Sequence, residues 1–199
     1  MPLPPAVFLD RDGTMIHDPG YLCRIEELRW YPWTIDAVRL LNRAGFLVFV
    51  VTNQGGVGLG LFEETFVHIV HDAMKARMAD GGARVDGWFY CTHHPRAVIE
   101  RLRVDCDCRK PKPGMVHQAQ ALFQFDLSRS FVVGDKLSDI GLAAPVGARG
   151  VLVRTGHGAE EIPRAADAGL TPARIAENLM DATAWMLAES GHPKTGEGT

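Results

Sequence analysis

The sequence predicts an α/β domain, a parallel sheet with helices on both faces, and three observations predict it. Short apolar runs of β type alternate with longer amphipathic stretches, the pattern of strands joined by crossover helices. Most of these runs end on polar or acidic residues, and open α/β sheets place their ligands at the carboxyl ends of the strands. With 199 residues and 46% hydrophobic content, the chain is the size of one such domain with a sizeable core.

The elements follow in order. Ala6 to Leu9 is the first strand, and it delivers Asp10 and Asp12 to the sheet edge before the turn residue Gly13. A helix over Thr34 to Ala44 leads to a second strand, Leu47 to Thr52, which runs into the Gly-rich turn Asn53-Gln54-Gly55-Gly56-Val57-Gly58. A helix over Glu63 to Asp80 and a strand over Gly87 to Cys91 come next. Thr92 to Pro113 is non-periodic, and a structureless loop of that length needs a reason. Then follow a helix over Gly114 to Phe123, a strand over Ser130 to Gly134, a helix over Ile140 to Ala144 and a strand over Gly150 to Arg154. Pro172 at a first helical position, with Thr171 as its N-cap, predicts a last helix reaching Ser190. Residues 1–190 are thus expected to form a single domain, and 191–199, small and polar, a disordered tail.

Two carboxylates one residue apart at a strand end repel each other, unless a cation or a chemical task holds them there. Asp10 and Asp12 therefore point to a Mg²⁺-dependent phosphoryl-transfer site with an aspartate nucleophile. Backbone N–H groups of the turn after Thr52 can hold phosphate oxygens. Phe131-Val132-Val133-Gly134-Asp135 repeats the opening logic of a buried strand that ends on an acid.

The set Asp10-x-Asp12-x-Thr14, Thr52, Lys110 and Gly134-Asp135-x-x-x-Asp139 resembles, in order, the four motifs of the haloacid dehalogenase (HAD) superfamily of phosphatases. The resemblance implies a Rossmann-like HAD fold. It makes Asp10 the nucleophile, Asp12 the general acid and base, Thr52 a hydrogen-bond donor to the phosphoryl group and Lys110 a charge-balancing cation. It implies Mg²⁺ held by Asp10, Asp135 and the backbone carbonyl of Asp12, with Asp139 ordering that set.

The long loop has its own chemistry. Cys91-x-His93 and Cys106-x-Cys108 supply three thiolates and an imidazole, a complete tetrahedral Zn²⁺ set with no open position, so a structural zinc loop is expected over 91–108. His94 is expected to be a spectator or a group that supports the ligands from outside. Fixing this loop would fix Arg109 and Lys110, which follow it directly.

With Asp18-Pro19-Gly20-Tyr21, Cys-x-His-His-Pro and Cys-Asp-Cys-Arg-Lys-Pro added, the chain looks like the group of D-glycero-D-manno-heptose 1,7-bisphosphate 7-phosphatases and histidinol-phosphate phosphatases. That resemblance implies a capless enzyme carrying the zinc loop where relatives have a lid. It places Asp18, Gly20, Tyr21, Thr52, Asn53, Gln54, Gly55, Arg109, Lys110 and Lys136 at the substrate. The heptose group usually has Ser-Gly-Ile-Ala-Arg-Gly where Gly55 to Gly60 stands here, and the histidinol-phosphate group has a similar Gly-Leu-Gly stretch. The heptose bisphosphate is the expected substrate and histidinol phosphate the alternative; DNA 3′-phosphatases also carry Thr-Asn-Gln.

A net charge of -3 and the lack of basic, aromatic-rich strips argue against nucleic acid as partner. No stretch approaches the ~18 apolar residues a membrane span needs, so a cytoplasmic protein is expected, and a monomer. Trp30, Tyr31 and Trp33 read as packing, His68 and His71 as a partly exposed helix face, and His157 and Arg154 as lying near the site without a role.

Overall fold

The computed structural model describes residues 2–191; the expected tail, apart from Gly191 at the end of the last helix, lies outside the described residues. Six parallel strands, β1 (Pro5–Leu9), β2 (Leu47–Asn53), β3 (Gly87–Cys91), β4 (Asp126–Gly134), β5 (Arg149–Val153) and β6 (Arg174–Ala176), form one sheet in the order β3-β2-β1-β4-β5-β6. The order reverses beside β1, so β1 and β4 are neighbours, with Leu9 opposite Val133. The ligand crevice of open α/β sheets lies outside such a switch point.

Alternation along each strand divides the core in two. Val7, Leu9, Val48, Val50, Phe131 and Val133 face α1 (Thr34–Arg43), α2 (Glu64–Asp80) and, C-terminally, α6 (Leu179–Gly191). Ala6, Phe8, Phe49, Val51 and Val132 face α3 (Gly114–Leu122) and α4 (Leu137–Ala143). With both faces covered, the strands can be nearly all apolar, which is why they were legible as short unbroken runs. A single turn, α5 (Gly158–Glu161), follows β5.

Three elements differ from expectation. No helix starts at Pro172: Arg174–Ala176 joins β5 as a sixth strand, and α6 begins only at Leu179, where Asn178 Oδ1 accepts from the Met180 and Asp181 N–H groups. Thr171 and Pro172 resemble a helix start, but pairing with β5 takes the segment that follows them. The helix expected from Ile140 starts at Leu137, because Asp139 Oδ2 accepts from Lys136 N and so satisfies a backbone donor at the helix start. β4 begins at Asp126, with Ser130 Oγ bridging Asp126 O and Ala6 N across a shift in the β1 register.

His71 also departs from expectation. It is buried, with its ring 4.8 Å from that of Trp88, while His68 meets the Tyr90 hydroxyl at 3.0 Å. Trp30 and Trp33 pack on the core, and Tyr31 stacks on Trp33 at 5.3 Å. Among the described residues no helix is long and apolar enough to cross a membrane.

Candidate active site

The carboxyl ends of β1 and β4 place Asp10 and Asp135 side by side, and Asp139 on α4 joins them; one oxygen from each lies within 4.8 Å of the others. All three are buried. Lys110, from the β3–α3 connection, enters this cluster from the opposite side. Its Nζ donates to Asp10 Oδ1 and Val51 O, each at 2.8 Å, and stands 2.6 Å from Asp139 Oδ1. Burial alone would lower the Lys110 pKa, but Asp10 and Asp139 outweigh it and raise it, so the lysine is a cation.

One lysine does not balance three carboxylates. Burial, then the charges of Asp10 and Asp139, push the Asp135 pKa up to about 8; burial pushes Asp139 up to about 6 against the pull of Lys110. Asp135 Oδ2 accepts from His157 N at 2.8 Å, whereas Oδ1 is buried with no hydrogen-bond partner. Gly13 (φ 86°) and Gly156 (φ 58°) lie so close to this carboxylate that a Cβ on either would collide with it. A buried, unpartnered carboxylate oxygen among crowded acids fits a small divalent cation that takes oxygen ligands.

This crowding has a measurable consequence. A carboxyl whose pKa rises from 3.8 to about 8 on folding keeps a proton that the unfolded chain has lost, so stability falls as pH rises through that window. In Mg²⁺-free buffer the melting temperature is expected to drop across this range. Saturating Mg²⁺, or Asp135→Asn, should flatten the slope; a slope unchanged by both would contradict the crowding.

Asp12 sits apart from the three acids. Its carboxylate accepts from Arg11 Nε and Nη2 at 3.0 Å and from Gln54 Nε2 at 2.9 Å. Burial would raise its pKa, but the charge and hydrogen bonds of Arg11 hold it below the usual carboxylate range. Asp12 is thus absent from the side-chain cluster that suits a metal, which leaves its carbonyl as the group expected to serve there. Gln54 Nε2 also donates to Thr52 Oγ1 at 2.9 Å. The carboxamide of Asn53 pairs reciprocally with the Lys110 backbone, at 3.0 and 3.2 Å, and so ties the end of β2 to the lysine.

A small cavity of 40 Å³ is lined by Asp10, Asp12, Thr52, Asn53, Lys110, Lys136 and Ser138. It adjoins an outer pocket of 240 Å³, whose walls include Asp18, Gly20, Tyr21, Gln54, Gly55, Arg109, Lys110 and Lys136. Every residue expected at the substrate lines one or the other. Lys136 Nζ donates to Asp18 Oδ2 at 2.9 Å, and His157 Nε2 lies 3.3 Å from the same oxygen. Arg109 Nη1 donates to His93 O at 2.9 Å.

Sequence reasoning missed several of the lining residues, Leu22 and Gly56 among them. His94, expected to be a spectator or a supporting group, edges the outer pocket against Gly55, where a Cβ would come within 3.0 Å of its ring. Phe62 and Ser138 carried no motif, although Ser138 lies only three residues after Asp135. Arg11, which no motif singled out, lines the outer pocket as well.

The four residues expected to hold zinc come together in the structure. Cys91 Sγ, His93 Nδ1, Cys106 Sγ and Cys108 Sγ all lie within 4.8 Å of one another. Five of their pair separations are 3.1 to 3.6 Å, close to the edges of about 3.8 Å that a tetrahedron with Zn–S bonds of about 2.3 Å would have. Gly114 N, opening α3, donates to Asp107 O at 2.8 Å, so the loop is joined directly to the helix behind Lys110.

Comparison with known proteins gives three findings. The family model described as HAD-hydrolase-like matches residues 107–182. Over 154 residues, 76% of this chain and 80% of the relative, it is 45% identical to the D-glycero-beta-D-manno-heptose-1,7-bisphosphate 7-phosphatase of Escherichia coli K12. The D,D-heptose 1,7-bisphosphate phosphatase of B. bronchiseptica, solved with magnesium and phosphate, superposes with a TM-score of 0.81 at 33% identity, covering 93% of this chain and 99% of that one.

Proposed function

From its membership of the D-glycero-beta-D-manno-heptose-1,7-bisphosphate 7-phosphatase family, within the HAD-like hydrolases, to which this chain belongs, we propose that it removes the 7-phosphate of that bisphosphate. The observation that carries the reading is the buried cluster of Asp10, Asp135, Asp139 and Lys110, of which Asp10 and Lys110 line the small inner cavity beside the outer pocket.

Asp10 and Asp135, with the Asp12 carbonyl, would hold Mg²⁺, which when bound offsets charge on the phosphoryl oxygens. Asp10 attacks phosphorus in line; the P–O bond to C7 breaks and an aspartyl phosphate forms. Asp12, ionised in the free enzyme, takes up a proton with the phosphomonoester, gives it to the departing alkoxide, then takes one from the water that cleaves the aspartyl phosphate and releases Asp10. Thr52 and Lys110 hold equatorial phosphoryl oxygens, and fixed charges of this kind carry most phosphoryl transfer. Arg109, Lys136 and Tyr21, on the outer pocket, hold the remainder of the sugar bisphosphate.

The chain acts as a single HAD domain without a lid. In support, the β1–α1 and β3–α3 connections contain only short 3₁₀ turns among the described residues, and the second is pinned by its Cys/His cluster, which would hold Zn²⁺. Reduced clustered cysteines accord with the cytoplasm. We take the protein to work as a monomer on a small phosphosugar rather than on nucleic acid.

The test is ³¹P NMR of the bisphosphate with enzyme and Mg²⁺, beside histidinol phosphate at equal enzyme. Loss of the C7 resonance with C1 retained is expected, with kcat/KM about a hundredfold higher than for histidinol phosphate, ~2.7 kcal/mol of transition-state discrimination. The reverse preference would keep the chemistry and replace the substrate, with the Gly55 to Gly60 turn as the first place to look.

A further inference from the structure

Arg11 is 2% exposed and one of the largest fully buried side chains in the protein. A buried ion pair is a poor device for stability, since apolar residues of similar volume often serve as well or better. Its Nη1 is buried and unpartnered, which adds to the cost. The guanidinium is therefore retained for what its other nitrogens do.

Nε and Nη2 grip both oxygens of Asp12, and Nη2 also donates to Gln54 Oε1 at 2.9 Å. The second contact fixes which way the Gln54 amide points. Its Nε2 is then aimed at Asp12 Oδ2 and Thr52 Oγ1, both at 2.9 Å. Because the Thr52 oxygen accepts from Gln54, its own proton is free to donate toward the inner cavity it lines. His71, packed nearby, is pushed down to about 3 by burial and then by the Arg11 charge, so it stays neutral and leaves Arg11 the cation beside Asp12.

We propose that Arg11 is a positioning residue of this reaction: its bidentate grip, steadied by Gln54, sets the Asp12 carboxylate in the place from which it acts on the leaving group. The proposal rests on the phosphatase reading above. A fork geometry is required, because one planar group must hold two carboxylate oxygens and an amide oxygen together; an ammonium cannot.

The experiment exploits the leaving group. A sugar alkoxide needs the proton of Asp12, whereas the phenolate of p-nitrophenyl phosphate departs without one, and kcat/KM reports only the steps through that departure. In Arg11→Met, kcat/KM for the sugar bisphosphate is expected to fall about a hundredfold or more, the usual worth of a general acid, and for the aryl ester by less than about fivefold. Arg11→Lys, which keeps the charge and loses the fork, should show the same selective loss to a smaller degree, and provides the test should the Met variant fail to fold. Equal losses on both substrates, or none, would overturn the positioning role. A wild-type protein inactive on both would instead remove the phosphatase reading, and the inference with it.

Discussion

Asp10→Asn is expected to lower kcat on the sugar bisphosphate by about 10⁴-fold or more, the scale seen when a covalent nucleophile is removed. The amide has the shape of the carboxylate but cannot attack phosphorus. Folding should survive, because Lys110 keeps Asp139 and the Val51 carbonyl as partners. The Asp10 charge is one of the causes that raise the Asp135 pKa, so its removal relieves the crowded cluster. Without Mg²⁺ the variant should therefore melt no lower than the wild type at pH 8. Phosphate release and thermal melts check the two parts together; activity within about tenfold of wild type would take Asp10 out of the nucleophile's place.

Cys108→Ser is expected to have the second largest effect, through the loop rather than the chemistry. The substitution removes a thiolate from a closed four-ligand set, and metal binding to such a set contributes directly to folding. Loss of the cluster releases the His93 carbonyl that holds Arg109 and loosens the segment joined to Asn53 through Lys110. The sheet does not depend on these contacts, since its two core clusters are built chiefly from β-strand and helix residues. Zinc content should fall, proteolysis should appear between 92 and 113, and kcat/KM should drop about a hundredfold, the upper range for lost support of a functional ligand set. Helical circular dichroism should persist. Full activity without bound zinc would show that Lys110 holds its position unaided.

How much of this was legible follows from what each residue must satisfy. A strand buried on both faces has to be apolar throughout, so β1, β2 and the second half of β4 announced themselves, and the acids that follow β1 and β4 could have no packing role. The Cys/His cluster was readable because two closely spaced pairs, Cys91-x-His93 and Cys106-x-Cys108, are a common way of bringing four ligand atoms together. β6 was not readable: Arg174–Ala176 is only three residues long and is ordered by β5, while Pro172 and Thr171 mimic a helix start. Arg11 was hidden for a related reason. In a sequence an arginine between two aspartates is a solvated charge; only the fold shows it turned inward beneath Gln54 and next to His71. Gln54 and Asn53 were expected at the substrate, and both do line its pocket, yet the amide of Gln54 and that of Asn53 are engaged in holding Asp12, Thr52 and Lys110. Sequence can place a polar side chain at a strand end, but the direction of its hydrogen bonds is a property of the packed neighbours.

The most direct measurement is a single turnover of the bisphosphate with excess enzyme and Mg²⁺, quenched in acid within milliseconds, reduced with borohydride and mapped by peptide mass spectrometry. A phosphoryl group carried by Asp10 yields homoserine at position 10 after reduction, and that signal should be absent from Asp10→Asn. Turnover with unmodified Asp10 at every time point, or a trapped phosphoryl group on another residue, would contradict the mechanism built on this site.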